Sequence, residues 1–163
     1  MGNTMLLCNM LEIIEGGNSM NGPGYRLKAT SQENHDRFIR RIVESETVWA
    51  LSKENTYAYA ESNKNENPSD IILFWSDKAY AKRAGQSNYP GFEETEITLF
   101  NFLFRWLPGM SSEGVLAGTN WTGDLVGLEY DAYDLRLEIE AALSSDQKDR
   151  FNSQYHEIFD GRE

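Results

Sequence analysis

The chain has one cysteine, Cys8, and two histidines, His35 and His156, among its 163 residues. One thiol cannot form an internal disulfide, so nothing in the sequence predicts an oxidising compartment. The two histidines lie on different predicted helices, and neither an H-x-x-x-H nor a C-x-x-C pattern occurs. The sequence therefore predicts no metal site, and both histidines are expected to be surface residues of their helices.

Long apolar runs and nucleotide-binding motifs are also lacking. No run approaches the ~20 apolar residues that a membrane span needs, and the N-terminus lacks the basic region of a signal peptide. The phosphate-binding pattern G-x-x-x-x-G-K-[ST] and the hydrolase pattern G-x-S-x-G are absent. These absences predict a cytoplasmic protein with no catalytic residues, no cofactor and no membrane partner, and they make an enzyme the less favoured class.

Basic residues are scarce in the second half of the chain. The net charge is −11, and residues 93–163 hold 15 acidic but only 5 basic side chains, a balance of −10. The negative electrostatic field of this half of the chain repels nucleic acid and anionic lipid and attracts a basic partner. The alternative is that the charge serves solubility alone.

Five of the acidic residues are expected to form a binding face near one end of the sheet. Asp131 and Asp134 could take part in acid–base catalysis. Their position at the start of a predicted helix, where carboxylates cap the helix, explains their presence without a catalytic role. The predicted acidic face consists of Asp124, Glu129, Asp131, Asp134 and Glu138.

Three segments are expected along the chain. Residues 1–29 are predicted to be a leader and loop, residues 30–145 an α/β domain, and residues 146–163 an amphipathic C-terminal helix. Glu15-Gly16-Gly17 can be encoded by a bacterial ribosome-binding sequence upstream of Met20, so translation could start at either Met1 or Met20. The alternative for the leader is an ordinary N-terminal helix.

Short strands alternate with helices in the predicted domain. Thr30 and Glu33 fit a capping box and predict a helix to about Ser45. The unbroken apolar run Ile71–Trp75 is typical of a strand buried on both faces. The class is therefore α+β, with a single mixed or antiparallel sheet of about five strands covered by helices. The other predicted elements are strands at 47–52, 56–61, 94–99, 115–119 and 125–129, and helices at 77–84, 99–107, 132–143 and 146–159.

The four tryptophans have different expected roles. Trp106 shares a predicted helix face with Leu103, so both are expected in the core. Trp121 lies in a predicted turn, where it either covers the end of the sheet or lines a surface concavity. If a ligand pocket exists, its expected lining residues are Trp49, Trp75, Asn120 and Trp121.

The segment from about Phe38 to Leu143 resembles a family of small bacterial proteins, domain of unknown function 2750. The residues that carry the resemblance are Val48-Trp49, Phe74-Trp75-Ser76 with Ala81, Gly91-Phe92-Glu93, Arg105-Trp106-Leu107-Pro108-Gly109 and Gly118-Thr119-Asn120-Trp121. The family brings no established activity and no catalytic residues. More faintly, the rhythm of strands and helices is similar to the SseB-like fold, which is associated with protein interaction.

Two functional hypotheses follow, from different classes. The leading one is a non-enzymatic protein-binding module, such as an acidic immunity protein that neutralises a basic toxin. The alternative is a ligand-binding or enzymatic domain whose pocket is lined by tryptophans. The C-terminal helix, with Phe151, Tyr155 and Phe159 on one face, is expected to bury that face against its own sheet or in a homodimer.

Overall fold

The computed structural model describes residues 23–62 and 69–161 of the chain. The choice between Met1 and Met20 and the predictions for residues 1–22 lie outside the described residues, whereas residues 23–29 of the predicted loop are helical. The elements, in chain order, are α1 Pro23–Ser45, β1 Thr47–Lys53, β2 Thr56–Tyr57, β3 Tyr59–Ser62, β4 Ser69–Phe74, α2 Lys78–Asn88, β5 Glu93–Thr98, α3 Leu99–Asn101, a π-helical turn Phe102–Trp106, α4 Leu107–Glu113, β6 Leu116–Thr119, β7 Leu128–Tyr130, α5 Ala132–Ala142, α6 Ser145–Tyr155 and a second π-helical turn His156–Asp160.

The strands form two sheets, so the α+β class is confirmed but the predicted single sheet of about five strands is wrong. One sheet has the order β2-β1-β5 and is antiparallel. The other has the order β3-β4-β6-β7, in which β4 and β6 are parallel. An isolated bridge joins the two sheets, since the backbones of Trp49 and Trp75 exchange two hydrogen bonds of 2.8 Å.

The division between the sheets occurs within a segment that the sequence predicts as one strand. Ala58 donates its N–H to the carbonyl of Leu51, and its own carbonyl accepts from Leu73. Residues before Ala58 therefore pair with β1, and residues after it pair with β4. Local alternation of side chains predicts an extended backbone but does not identify its partner strand, so this division could not be predicted.

The core lies on both sides of β4, as the apolar run predicts. Phe74 contacts a large cluster that α1, the helical segment 99–113, α5 and α6 cover. Ile71, Leu73 and Trp75 belong to a smaller cluster beneath α2. All four side chains are fully buried, which is the burial expected for a strand covered by helices on both faces.

Two predicted helix starts need correction. Helix α1 begins at Pro23 and not at Thr30, with proline at the first helical position, where its missing N–H has no cost. Helix α2 begins at Lys78 and not at residue 77, because Asp77 occupies the N-cap position without a capping bond and accepts a hydrogen bond from the Ser76 hydroxyl. Asp131 does cap α5, as predicted, by accepting from two backbone N–H groups.

The other side chains that the sequence places in the core differ in how deeply they are buried. Leu103 is fully buried, as predicted, whereas Trp106 is only half-buried against the larger cluster. On the C-terminal helix Phe151 is buried and Tyr155 is half-buried, but Phe159 is 40% exposed on its own chain, so of the two predicted ways to bury it only the homodimer stays a prediction. The helix changes to a π-helical turn at residue 156, which alters the face on which the later side chains lie.

Within residues 23–62 and 69–161, no helix combines the length and apolarity needed to cross a membrane.

Candidate ligand-binding cleft

A cleft of about 510 Å³ opens where the parallel strands β4 and β6 end. Helix α1 forms one wall, α2 forms the other, and the loop after β6 closes one side. In sheets with parallel strands, ligands bind preferentially outside the carboxyl ends of the strands, which is the position of this cleft. The lining residues are Asn34, Arg37, Trp75, Tyr80, Arg83, Gln86, Ser87, Asn120, Trp121, Thr122 and Gly123.

Two tryptophans form the floor of the cleft. Trp75 is fully buried and Trp121 is 3% exposed. The Trp75 indole N–H donates to the carbonyl of Trp121, and the Trp121 indole N–H donates to the carbonyl of Leu128, both at 2.9 Å. Because both rings are almost completely buried and both indole donors already have partners within the protein, the tryptophans support the floor of the cleft and offer a ligand no hydrogen bond.

Glycines on both sides leave room for the Trp121 ring. A Cβ at Gly127 would lie 2.1 Å from Cδ1 of Trp121, and a Cβ at Gly118 would lie 2.7 Å from its Nε1. The ring therefore occupies space that any other residue at these two positions would fill. The sequence left open whether Trp121 covers the sheet or lines a concavity, and in the structure it does both.

Asn120 connects three parts of the cleft. Its backbone has a positive φ of 48°, a conformation that asparagine tolerates better than most residues. Its side-chain oxygen accepts from the backbone N–H of Ser76 at 2.8 Å, and its amide nitrogen donates to the Asn34 carbonyl at 3.1 Å. The end of β6 is thereby fixed to both α1 and the segment that follows β4.

Two arginines give the cleft its charge. Arg37 on α1 donates to the Tyr80 hydroxyl across the cleft at 3.5 Å. The Arg83 guanidinium lies 4.7 Å from the centre of the Tyr80 ring, within range of a cation–π contact. No carboxylate is among the lining residues, although the chain carries a net charge of −11. The cleft is thus a locally cationic site on an acidic protein.

The pocket predicted from the sequence matches part of this cleft. Trp75, Asn120 and Trp121 lie together in it, whereas Trp49 lies outside it, half-buried, with the Lys78 ammonium 5.6 Å from its ring. Arg37 and Arg83 are not among the residues that the sequence predicts for a site. The sequence places each arginine on a predicted helix. Nothing in the sequence indicates that these two helices face each other across a cleft.

Beside the cleft, His35 is fully buried, so its predicted place on the surface is wrong. Its Nδ1 bonds to the Thr119 hydroxyl at 2.8 Å and its Nε2 to the Glu138 carboxylate at 2.9 Å, while its ring stacks on Tyr130 at 4.0 Å. Burial, and then the nearby charge of Glu138, raises the pKa of Tyr130 to about 12. His156 is exposed, as predicted.

The residues Glu138, His35 and Thr119 have the order of a catalytic triad, but their burial is reversed. Thr119 is fully buried, and Glu138 is the exposed member, with 43% of its side chain accessible. A nucleophile must reach its substrate, and a hydroxyl with no exposed surface cannot do so. The network therefore holds α1, β6 and α5 together and is not a candidate for catalysis.

The residues of the predicted acidic face have individual structural roles. Glu129 in β7 accepts a hydrogen bond of 2.7 Å from Ser62, Asp131 caps α5, and Glu138 bonds to His35. Asp131, Asp134 and Glu138 follow a spacing of three and four residues, which places them on one side of α5. Asp124 is exposed in the loop that borders the cleft.

No group of histidine, cysteine, aspartate and glutamate side chains in the described part of the chain could hold a metal ion.

Fold and cleft together define a small α+β domain with a polar cleft at the end of a parallel strand pair. The sequence profile of the family described as "Protein of unknown function (DUF2750)" matches residues 35–139, which is more than half of the chain. The protein belongs to this family, as its resemblance predicts. The match includes α2, all the lining residues of the cleft except Asn34, and most of α5. Comparison with curated proteins and with solved structures finds no match.

Proposed function

We propose that this protein binds a small anionic ligand in the cleft between α1 and α2. The observation that supports the proposal is the charge of the lining: two arginines and no carboxylate, in a chain with a net charge of −11. A guanidinium is the side chain best suited to bind carboxylate or phosphate oxygens through paired hydrogen bonds. The volume of about 510 Å³ falls within the range of ordinary small-molecule sites.

The composition of the lining favours binding over turnover. None of the lining residues carries a carboxylate, imidazole, thiol or amine, so the cleft has no ready general base or activated nucleophile. The hydroxyls of Tyr80, Ser87 and Thr122 would need such a base nearby to react. A binding function requires none of these groups.

Titration with inorganic phosphate, followed by calorimetry and by tryptophan fluorescence, tests the proposal. Arg83→Gln removes one charge from an exposed position on α2 and should weaken binding by about ten-fold or more. Lys82→Gln is the matched control, because it removes the same charge from the adjacent, exposed residue that lines a different surface. If the two variants weaken phosphate binding equally, the affinity depends on the overall electrostatic field of the protein and not on a contact in the cleft. That result would count against the site.

A second candidate function is binding of a basic protein, such as a toxin, to the acidic face. The observation in its favour is that Asp124, Asp131, Asp134 and Glu138 are all exposed. Charges arranged in this way accelerate association with a basic partner and make the rate sensitive to salt. Three of the five carboxylates also serve the fold, however, so their clustering by itself is weaker support than the lining of the cleft.

Capture of partners from the native host, followed by association kinetics, tests this second candidate. Asp131 should be changed only to Asn, which retains the helix cap, while Asp134 is changed to Lys. The double variant should associate more slowly with a captured basic partner, and its rate should depend less on salt. An unchanged rate for the stable double variant would reduce this face to a solvated surface.

A further inference from the structure

The cleft has different chemistry at its two ends. The side of α2 that lines the cleft carries Tyr80, Arg83, Gln86 and Ser87. At a rise of 1.5 Å per residue, Tyr80 and Ser87 are about 10 Å apart along the helix axis. Arg37 approaches Tyr80 from the opposite wall, so both guanidinium groups are at the Tyr80 end. An anionic ligand in the cleft would therefore place its negative charge at the Tyr80 end.

The lining residues at the opposite end of the cleft are uncharged and polar, while Asp124 is exposed in the loop that borders this end. Gln86 and Ser87 face the loop that contains Thr122 and Gly123, and a Cβ at Gly123 would lie 3.8 Å from the Ser87 hydroxyl. The Asn88 amide donates to the Gly123 carbonyl at 2.6 Å and so holds the loop against α2. This end offers amide and hydroxyl groups, which can both donate and accept hydrogen bonds.

We infer that the ligand is a phosphomonoester with a neutral, hydroxyl-rich body, such as a sugar phosphate or a nucleoside phosphate. The inference rests on the proposed function and specifies its ligand class. A carboxylate presents two oxygens in one plane, which a single guanidinium satisfies. A phosphomonoester presents three oxygens and up to two negative charges, which suits two guanidinium groups that come from separate helices.

The neutral end determines the body of the ligand. Gln86, Ser87 and Thr122 can form hydrogen bonds with hydroxyl groups of the ligand in place of solvent. An alkyl body would remove that solvent without returning hydrogen bonds, which disfavours it. The ligand thus lies along α2, with the phosphate between Arg37 and Arg83 and the hydroxyl-rich body between Ser87 and Gly123.

Four probes test the inference by calorimetry on the full chain: inorganic phosphate, glucose 6-phosphate, glucuronate and hexyl phosphate. Glucose 6-phosphate should bind about ten-fold more tightly than inorganic phosphate, because its body adds hydrogen bonds. Glucuronate, with a similar body but a carboxylate, and hexyl phosphate, with an apolar body, should both bind more weakly than glucose 6-phosphate. The double variant Gln86→Ala with Ser87→Ala should bind glucose 6-phosphate no more tightly than it binds inorganic phosphate.

The outcomes distinguish this inference from the proposed function. If glucuronate binds as tightly as glucose 6-phosphate, the choice of phosphate is wrong, although the anion site stands. If hexyl phosphate binds more tightly, or the double variant has no effect, the hydroxyl-rich body is wrong. If none of the four probes binds, or if Arg83→Gln changes no affinity, both the inference and the proposed function fail. Circular dichroism of each variant establishes that its fold is retained.

Discussion

At residue 120 the chain leaves β6 with a positive φ, and the side chain there bonds to two other segments. Asn120→Gly keeps this backbone conformation but removes the side-chain bonds and leaves the buried N–H of Ser76 without its acceptor. We expect a loss of about 2–3 kcal/mol in the free energy of unfolding, measured in urea. Asn120→Ala should lose about 1 kcal/mol more, because alanine is strained at positive φ. Equal losses for the two variants would mean that the backbone conformation is not required.

Gly127 provides a test of the packing around Trp121. A Cβ at this position would lie 2.1 Å from the Trp121 ring, so Gly127→Ala must displace the ring from the floor of the cleft. We expect a loss of about 1–3 kcal/mol in the free energy of unfolding, with a change in tryptophan fluorescence. Gly109→Ala is the control, since nothing lies within 4 Å of its added Cβ in helix α4, and it should be neutral or stabilise by up to ~1 kcal/mol. A Gly127→Ala protein as stable as the control would show that the ring does not need this space.

At the scale of elements, helix α6 packs on its own chain through both apolar and polar contacts. Phe151 packs on Phe100 at 5.9 Å, and Gln147 donates to the Val43 carbonyl at 2.9 Å. Removal of residues 144–163 should therefore expose apolar core surface and cause unfolding or aggregation, measured by thermal denaturation and light scattering. A soluble truncated protein of equal stability would contradict this expectation. Sedimentation of the full chain tests the predicted homodimer, for which Phe159 is an exposed apolar side chain on the C-terminal helix.

The contact between α6 and the end of α1 should depend on pH. A hydrogen bond from Arg150 lowers the pKa of Glu46 below its ordinary value of 4.5. A lowered pKa in the folded state contributes stability above the unfolded pKa, and this contribution is lost as the pH falls through the folded pKa. The difference in free energy of unfolding between the wild-type protein and Glu46→Gln should therefore shrink as the pH falls from 7 to below 4.5. Urea denaturation across this range measures the difference, and a constant difference would show that the pair makes no ionic contribution.

At the scale of the whole molecule, the net charge of −11 should make stability depend on salt. Residues 93–163 contribute −10 of this charge, so like charges repel across one half of the chain. Raising sodium chloride from about 10 to about 150 mM shortens the screening length from roughly 30 to roughly 8 Å and should raise the midpoint of thermal unfolding. The increase should be smaller for a variant with Asp134→Lys and Glu157→Lys, both at exposed positions, because it has less repulsion to screen. A midpoint that falls with salt would mean that attractive pairs outweigh the repulsion.

Some features follow from the sequence alone because they depend on neighbours along the chain. The apolar run Ile71–Trp75 indicates a strand buried on both faces, and Asp131 before an amphipathic segment indicates a capped helix; the structure has both. Periodicity and capping are local properties, so they can be read without knowledge of the rest of the fold. The α+β class follows from the alternation of such elements.

Other features depend on contacts between residues that are far apart in sequence, and only the tertiary structure decided them. This group includes the partner of each half of the segment 56–62, the burial of His35 and the placement of Arg37 and Arg83 in one cleft. A histidine or arginine on a polar helix face has the same local pattern whether that face meets water or another helix. The sequence could therefore suggest Trp75, Asn120 and Trp121 as pocket residues. The cationic cleft exists because the parallel pairing of β4 with β6 brings α2 and the loop after β6 to the same end of the sheet, where the Asn120–Asn34 and His35–Thr119 hydrogen bonds hold α1.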